Sequence, residues 1–109
     1  KQPFYIFDEQ KNILPMAGLW STCSYNGGET ILSYTIITKK ADKKISQIHN
    51  RMPLIIDFNR IDNWLTSDSL VELNSNYELI KKDPLNFYKV DSFVNSYRNN
   101  NRDCIKPIS

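Results

Sequence analysis

Histidine and cysteine are almost missing from this chain: one His and two Cys among 109 residues. One imidazole and two thiols far apart in sequence cannot supply the ligand spacing of a zinc centre, so no metal is expected. Nothing flanks Cys23 or Cys104 that indicates a disulfide between them. Free thiols in a reducing compartment is the simpler reading, although the pair leaves a bridge open. Glycine is also scarce, at three residues. The chain has no Gly-rich phosphate loop, no G-x-S-x-G elbow and no H-E-x-x-H pair. No apolar run approaches the roughly 20 residues of a membrane helix. Nor is there an excess of one charge: 14 basic against 12 acidic residues leave +2, too little for the whole-chain field to point to nucleic acid. The opening Lys1-Gln2-Pro3-Phe4-Tyr5 holds neither an initiator methionine nor a cleavable signal. A cytoplasmic protein is expected, and the start reads as the interior of something longer.

What is present suits one globular domain: 40% of residues are hydrophobic and 24% charged. Phe4-Tyr5-Ile6-Phe7 is a short strand, stopped by Asp8-Glu9-Gln10-Lys11-Asn12. Ile13 to Trp20 resumes an extended pattern, and the two are expected to pair as a hairpin. Ser21 to Glu29 reads as a polar loop, with Asn26-Gly27-Gly28 tolerating positive φ. Thr30 to Thr38 is the strongest strand, and its apolar residues on both faces predict that both are partly covered. Ile45, Ile48 and Met52 keep helical spacing, so a short helix is expected there, stopped by Pro53. Pro53 to Asp57 predicts a strand, and Ile61, Trp64 and Leu65 one helical turn. A helix capped by Ser67 or Asp68 carries Leu70, Leu73, Tyr77 and Ile80, and Phe87 to Val90 closes as a strand. The mixture lacks regular βαβ alternation, which predicts an α+β fold with a largely antiparallel sheet and short flanking helices.

The residues that could carry chemistry gather between Thr38 and Pro53. His49 is the one side chain whose two charge states are both accessible near neutrality, as a general acid or base requires. The competing reading has it filling the edge of the helix stripe and bonding a backbone carbonyl. Arg51 can grip a phosphate with two donors, or stand as a solvated surface arginine. Lys39, Lys40, Lys43 and Lys44 either support such a contact or form a solvated face. Trp20 and Trp64, in apolar runs, are expected to pack in the core.

His49-Asn50-Arg51-Met52-Pro53, followed by an apolar strand and then Trp64-Leu65, resembles the His-x-Arg-Met-Pro segment of the SRAP family. The name stands for SOS-response-associated peptidase, and the family processes abasic sites in DNA. Lys1-Gln2-Pro3-Phe4 is similar to the strand after that family's Glu-Trp segment. Ala17-Gly18-Leu19-Trp20 resembles its Ala-Gly-Leu-Trp strand, and Tyr34 to Thr38 the strand before its histidine. Val90 to Ile108 resembles its closing segment. The likeness covers essentially the whole chain but only the C-terminal half of the family domain. It implies that residues 1–109 are the C-terminal part of a single domain with a barrel-like antiparallel sheet.

The resemblance further implies that an amino-terminal cysteine traps the aldehyde of an abasic site in single-stranded DNA as a thiazolidine, shielding the site during the DNA damage response. His49 takes the catalytic histidine's place, and Arg51 and Thr38 lie where DNA is bound. No cofactor and no membrane are implied. Cys23 and Cys104 are internal, so neither has the α-amine that a thiazolidine needs, and no acidic residue precedes the first strand to match the family glutamate. Lys89 and Asp91 stand where the family has Pro and Ser. This chain alone is expected to be catalytically incomplete. The other readings are a non-catalytic DNA- or protein-binding module that keeps the fold, and a self-processing peptidase (a hydrolase or lyase label carried by the family name).

Overall fold

The computed structural model describes residues 1–66 and 79–108. The chain divides into two compact units, one of residues 1–12 with 84–109 and one of residues 13–83. In the first, β1 (Phe4–Phe7) pairs antiparallel with β6 (Asn86–Lys89), setting Tyr5 opposite Tyr88 and Ile6 opposite Phe87. Aromatic side chains hold this ribbon. Tyr5 and Tyr88 have ring centroids 5.4 Å apart, Phe7 and Tyr88 5.4 Å, and Phe4 meets Phe87 edge-on at 5.5 Å. Val90 is buried beside it and bridges Pro107. Two short 3₁₀ turns complete the unit, Ser92–Asn95 and Arg102–Ile105. Asp91 caps the first by accepting from Phe93 N–H (2.8 Å), and Asn101 the second by accepting from Asp103 N–H (2.9 Å).

The expected hairpin between Phe4–Phe7 and Ile13–Trp20 is therefore not formed. Pro15 offers no N–H to a ladder, whereas Asn86 to Lys89 bring a full set of donors and two rings. Distance in sequence is outweighed by aromatic pairing.

In the second unit β2 (Gly18–Tyr25) and β3 (Glu29–Ile36) form an antiparallel hairpin, with Trp20 opposite Tyr34 and Thr22 opposite Leu32. Asn26, Gly27 and Gly28 turn it with φ of 33°, 88° and 96°, a run that glycine alone adopts freely. The segment Ser21–Tyr25, expected as loop, is thus strand: its small and β-branched residues alternate against β3 residue for residue. Both faces of β3 were expected to be covered, yet every one of its residues is exposed, Tyr34 at 78% and Leu32 at 70%. Trp20, expected in the core, is 71% exposed on the same hairpin.

The next segments turn the chain back. β4 (Thr38–Lys40) pairs antiparallel with β5 (Arg51–Pro53), joined through a 3₁₀ turn at Ile45–Gln47 that starts on Asp42, whose carboxylate accepts from Ile45 N–H (2.9 Å). The expected helix through Met52 shrinks to that turn. Ile45 and Met52 are both buried, but Met52 reaches the core from a strand, because Pro53 biases it to extended backbone. Past β5, Met16 bridges Ile55 and Ile56 bridges Ile80. Asp57 caps a 3₁₀ turn (Phe58–Arg60) that runs into α1 (Ile61–Thr66), the expected helical turn. Trp64 is half-buried there and, with Pro15, Met16 and Ile56, lines an open groove of about 190 Å³. The helix expected from Ser67 onward lies outside the described residues, apart from Ile80.

The core of this unit is Ala17, Ala41, Ile45, Met52, Ile55, Ile56 and Leu79. A ring of three backbone hydrogen bonds knits it: Ala17 N–H to Leu54 O (2.8 Å), Leu54 N–H to Ile37 O (2.8 Å), and Ile37 N–H to Ala17 O (2.9 Å). Among the described residues the sheets are three antiparallel pairs, an α+β arrangement with no closed barrel. Ile56, 2% exposed, is its most telling position. Ile56→Ala should cost about 2–5 kcal/mol, read as a fall in the urea midpoint at constant m-value. A loss below about 1 kcal/mol would mean that the neighbours collapse into the space and that Ile56 is no keystone.

Candidate functional site

The β4–β5 ladder sets Thr38 opposite Pro53 and Lys40 opposite Arg51. Thr38 is therefore the diagonal neighbour of Arg51, within reach of a long side chain on one face of the ladder. Arg51 Nη2 donates to Thr38 Oγ1 at 2.9 Å, and both residues are exposed. Among the described residues the guanidinium makes no ion pair with a carboxylate. Lys40 across the strand adds a like charge. The remaining guanidinium donors face solvent with their charge uncompensated, which suits an oxyanion of a phosphate.

His49 joins the pair through the main chain. Its N–H donates to Ile45 O (2.9 Å), ending the 3₁₀ turn, and its ring folds over the backbone two residues on. Nδ1 lies 3.0 Å from Arg51 N and 3.0 Å from Arg51 O. The ring is exposed rather than set on the edge of a buried stripe, since the expected stripe does not exist as a helix. Of the structural reading of His49, the contact with a backbone carbonyl is present and the packing against a helical stripe is not.

All three residues singled out in the sequence thus meet around Arg51: Thr38 through its hydroxyl, His49 through its ring. Sequence reasoning missed that Thr38 and Arg51 touch. The signal was available, because an extended Met52-Pro53 after a tight turn can return only beside Thr38-Lys39-Lys40. Lys40, exposed and on the face that carries Thr38 and Arg51, makes that face basic, whereas Lys39, opposite Met52, points to the other face and is half-buried. Cys23 and Cys104 are free thiols, each hydrogen-bonded to a carbonyl, of Ser24 and Asn99. No group of three His, Cys, Asp or Glu among the described residues could hold a metal ion, and no described helix is long and apolar enough to cross a membrane.

Comparison with known proteins narrows what this geometry serves. A vertebrate relative, the abasic site processing protein HMCES of Gallus gallus, is 31% identical over 99% of this chain. The abasic site processing protein YoqW of Bacillus subtilis is 32% identical over 97% of it. The chain spans 38% and 48% of those two proteins, less than half of either. A crystal structure of a protein from Bacteroides thetaiotaomicron superposes with a TM-score of 0.74 at 22% identity, over 99% of this chain and 49% of that one, and shares the fold. The model of the SOS response associated peptidase (SRAP) family matches residues 1–97, and the chain belongs to that family.

Proposed function

We propose that this chain is the C-terminal part of a single SRAP domain and supplies its DNA-facing half-site for abasic-site processing. The observation that carries the reading is the convergence of Thr38, His49 and Arg51 on one exposed, basic strand pair. The relatives at 31–32% identity are named as abasic site processing proteins, which supports the substrate class. Arg51 and the hydroxyl of Thr38 receive a phosphate of single-stranded DNA beside the lesion. His49 moves protons at the opened sugar.

The covalent step needs a cysteine at an amino terminus, supplied by the remainder of the domain. Its amine condenses with the lesion's aldehyde to an imine, releasing water. The thiol then adds to the imine carbon, the thiol proton passes to nitrogen, and a five-membered thiazolidine results. Strands from that same remainder would close the barrel by covering the exposed Trp20, Leu32 and Tyr34 face of the β2–β3 hairpin. Large apolar patches of this kind mark contact surfaces.

Binding to single-stranded DNA with and without an abasic site, followed by fluorescence anisotropy over a salt series, tests the reading. The abasic single strand should bind in preference to duplex. Arg51→Ala should weaken it and flatten the slope of log K against log salt by about 0.7, the share of one phosphate contact on a single strand. An unchanged slope would remove Arg51 from the DNA interface. Equal affinity for duplex would contradict the single-strand assignment.

A further inference from the structure

The face of the β4–β5 ladder that carries Arg51 holds a second cation, Lys40, set directly across the strand. Ala41 N–H donates to Asn50 O (3.0 Å) and Leu54 N–H to Ile37 O (2.8 Å). These bonds fix the alternation between them: Lys39 with Met52 is a hydrogen-bonded pair, and Lys40 with Arg51 is not. A pair of the second kind brings its Cα atoms to about 4.5 Å and its side chains closest. Like charges directly opposite destabilise a strand pair. Yet among the described residues neither Lys40 nor Arg51 forms an ion pair with a carboxylate, and both are exposed. The repulsion stands where one acidic residue would remove it.

The two charges do not meet at one spot. Arg51 Nη2 is held by Thr38 Oγ1 (2.9 Å), so the guanidinium leans along the ladder toward Thr38 and away from Lys40. Thr38 and Lys40 are two residues apart on one strand and one face, a separation of about 6.8 Å. Successive phosphates of an extended single strand are spaced by a similar distance. We propose that Lys40 is a second phosphate contact of this face, so that Arg51 and Lys40 take neighbouring phosphates of one single strand running along β4. This second contact rests on the DNA-facing role proposed above for Arg51 and gives the bound strand a path. The phosphates bring the negative charge that the ladder lacks, so binding relieves the repulsion. Lys39 has no part in it: opposite the buried Met52, it points to the other face.

Anisotropy with an undamaged single-stranded oligonucleotide over a salt series tests Lys40, because phosphates are common to intact and abasic strands. Lys40→Gln should flatten the slope of log K against log salt by about 0.7, and Lys40→Gln combined with Arg51→Ala by about 1.4. Lys39→Gln removes the same charge from the chain and should leave the slope at its wild-type value. Equal flattening by Lys39→Gln and Lys40→Gln would mean that net charge alone matters, and overturns the proposal. A Lys40→Gln slope equal to wild type overturns it too. A double variant that loses only about 0.7 refutes neighbouring phosphates.

Lys40→Glu gives a readout without DNA. A carboxylate opposite Arg51 replaces repulsion by attraction and should raise the folding equilibrium constant by up to about 5-fold, read as a higher urea midpoint at constant m-value. The same variant should bind the single strand more weakly than Lys40→Gln, since the new carboxylate occupies the guanidinium. A midpoint that does not rise would show that the two side chains do not face each other, and overturns the pairing. Loss of the preference for abasic strands with these slopes intact defeats the proposed processing role and leaves Lys40 in place. The converse pattern, abasic preference with Lys40→Gln at the wild-type slope, defeats Lys40 alone.

Discussion

Incubated with an abasic single-stranded oligonucleotide and heated on a denaturing gel without reductant, residues 1–109 should give no shifted band. A family-length protein that begins with cysteine after methionine removal should convert most of its DNA. The difference is all-or-none because a thiazolidine needs a thiol and a free amine on one residue. Neither cysteine here offers that. Cys23 lies within β2, opposite Ile31, and Cys104 uses its backbone N–H in a hydrogen bond to Asn101 O (3.1 Å). An amide nitrogen has its lone pair delocalised into the carbonyl and is not a nucleophile. Lysines can form imines with the aldehyde, but an imine hydrolyses on heating, and the omission of reductant excludes it from the readout. A heat-stable band from this chain would sink the requirement for an amino-terminal cysteine.

His49→Ala in the family-length protein should slow crosslinking about 10²–10⁴-fold, the usual worth of a positioned proton-transfer group. Single-turnover rates separate this from binding: DNA affinity should stay near wild type, since Arg51 and Thr38 remain. Removing the ring also strips the Arg51 peptide of its partner, and that structural effect has to be isolated. His49→Asn does so. An Asn oxygen accepts from the N–H two residues on, as in an Asx-turn, and so restores the local hydrogen bond without acid–base capacity. Both variants should be slow. An Asn variant as fast as wild type would reduce His49 to a turn-former.

The fold class, the strand at Phe4–Phe7, the helical turn at Ile61 and the closing strand near Phe87 are legible in the sequence because each rests on local pattern. The errors have one physical origin. Residues 30–36 have the best strand propensity in the chain and are all exposed, while the buried residues Ala41 and Leu85 lie in unremarkable stretches. Propensity reports how a segment suits extended backbone, whereas burial depends on what the rest of the molecule brings against it. The same holds for the pairing of β1 with β6, a long-range choice invisible to a local window. At the site, the sequence and its family resemblance singled out Thr38, His49 and Arg51, and the structure brings the three together. Their mutual geometry did not follow, because the helical spacing of Ile45, Ile48 and Met52 arose from a turn and a strand whose buried positions coincide with a helical period. Pro53 was the stronger signal.

The three-bond ring at Ala17, Ile37 and Leu54 bears on how this family can vary in length. Thr38 follows Ile37 directly, and Pro53 precedes Leu54, so the strand pair that carries the guanidinium–hydroxyl contact is clamped at its base by the ring. Residues 41–50 connect its other end, with Ala41 and Ile45 set in the core. Extra residues inserted after Lys43 would break the Asp42–Ile45 cap of the 3₁₀ turn but leave the clamp in register. One residue added or removed between Met16 and Gly18, by contrast, would put the wrong peptide into two of the three bonds at once, those that Ala17 makes to Leu54 O and from Ile37 N–H. Divergence in length should therefore accumulate on the histidine side of the hairpin, and the Ala-Gly side should be intolerant of any change in count.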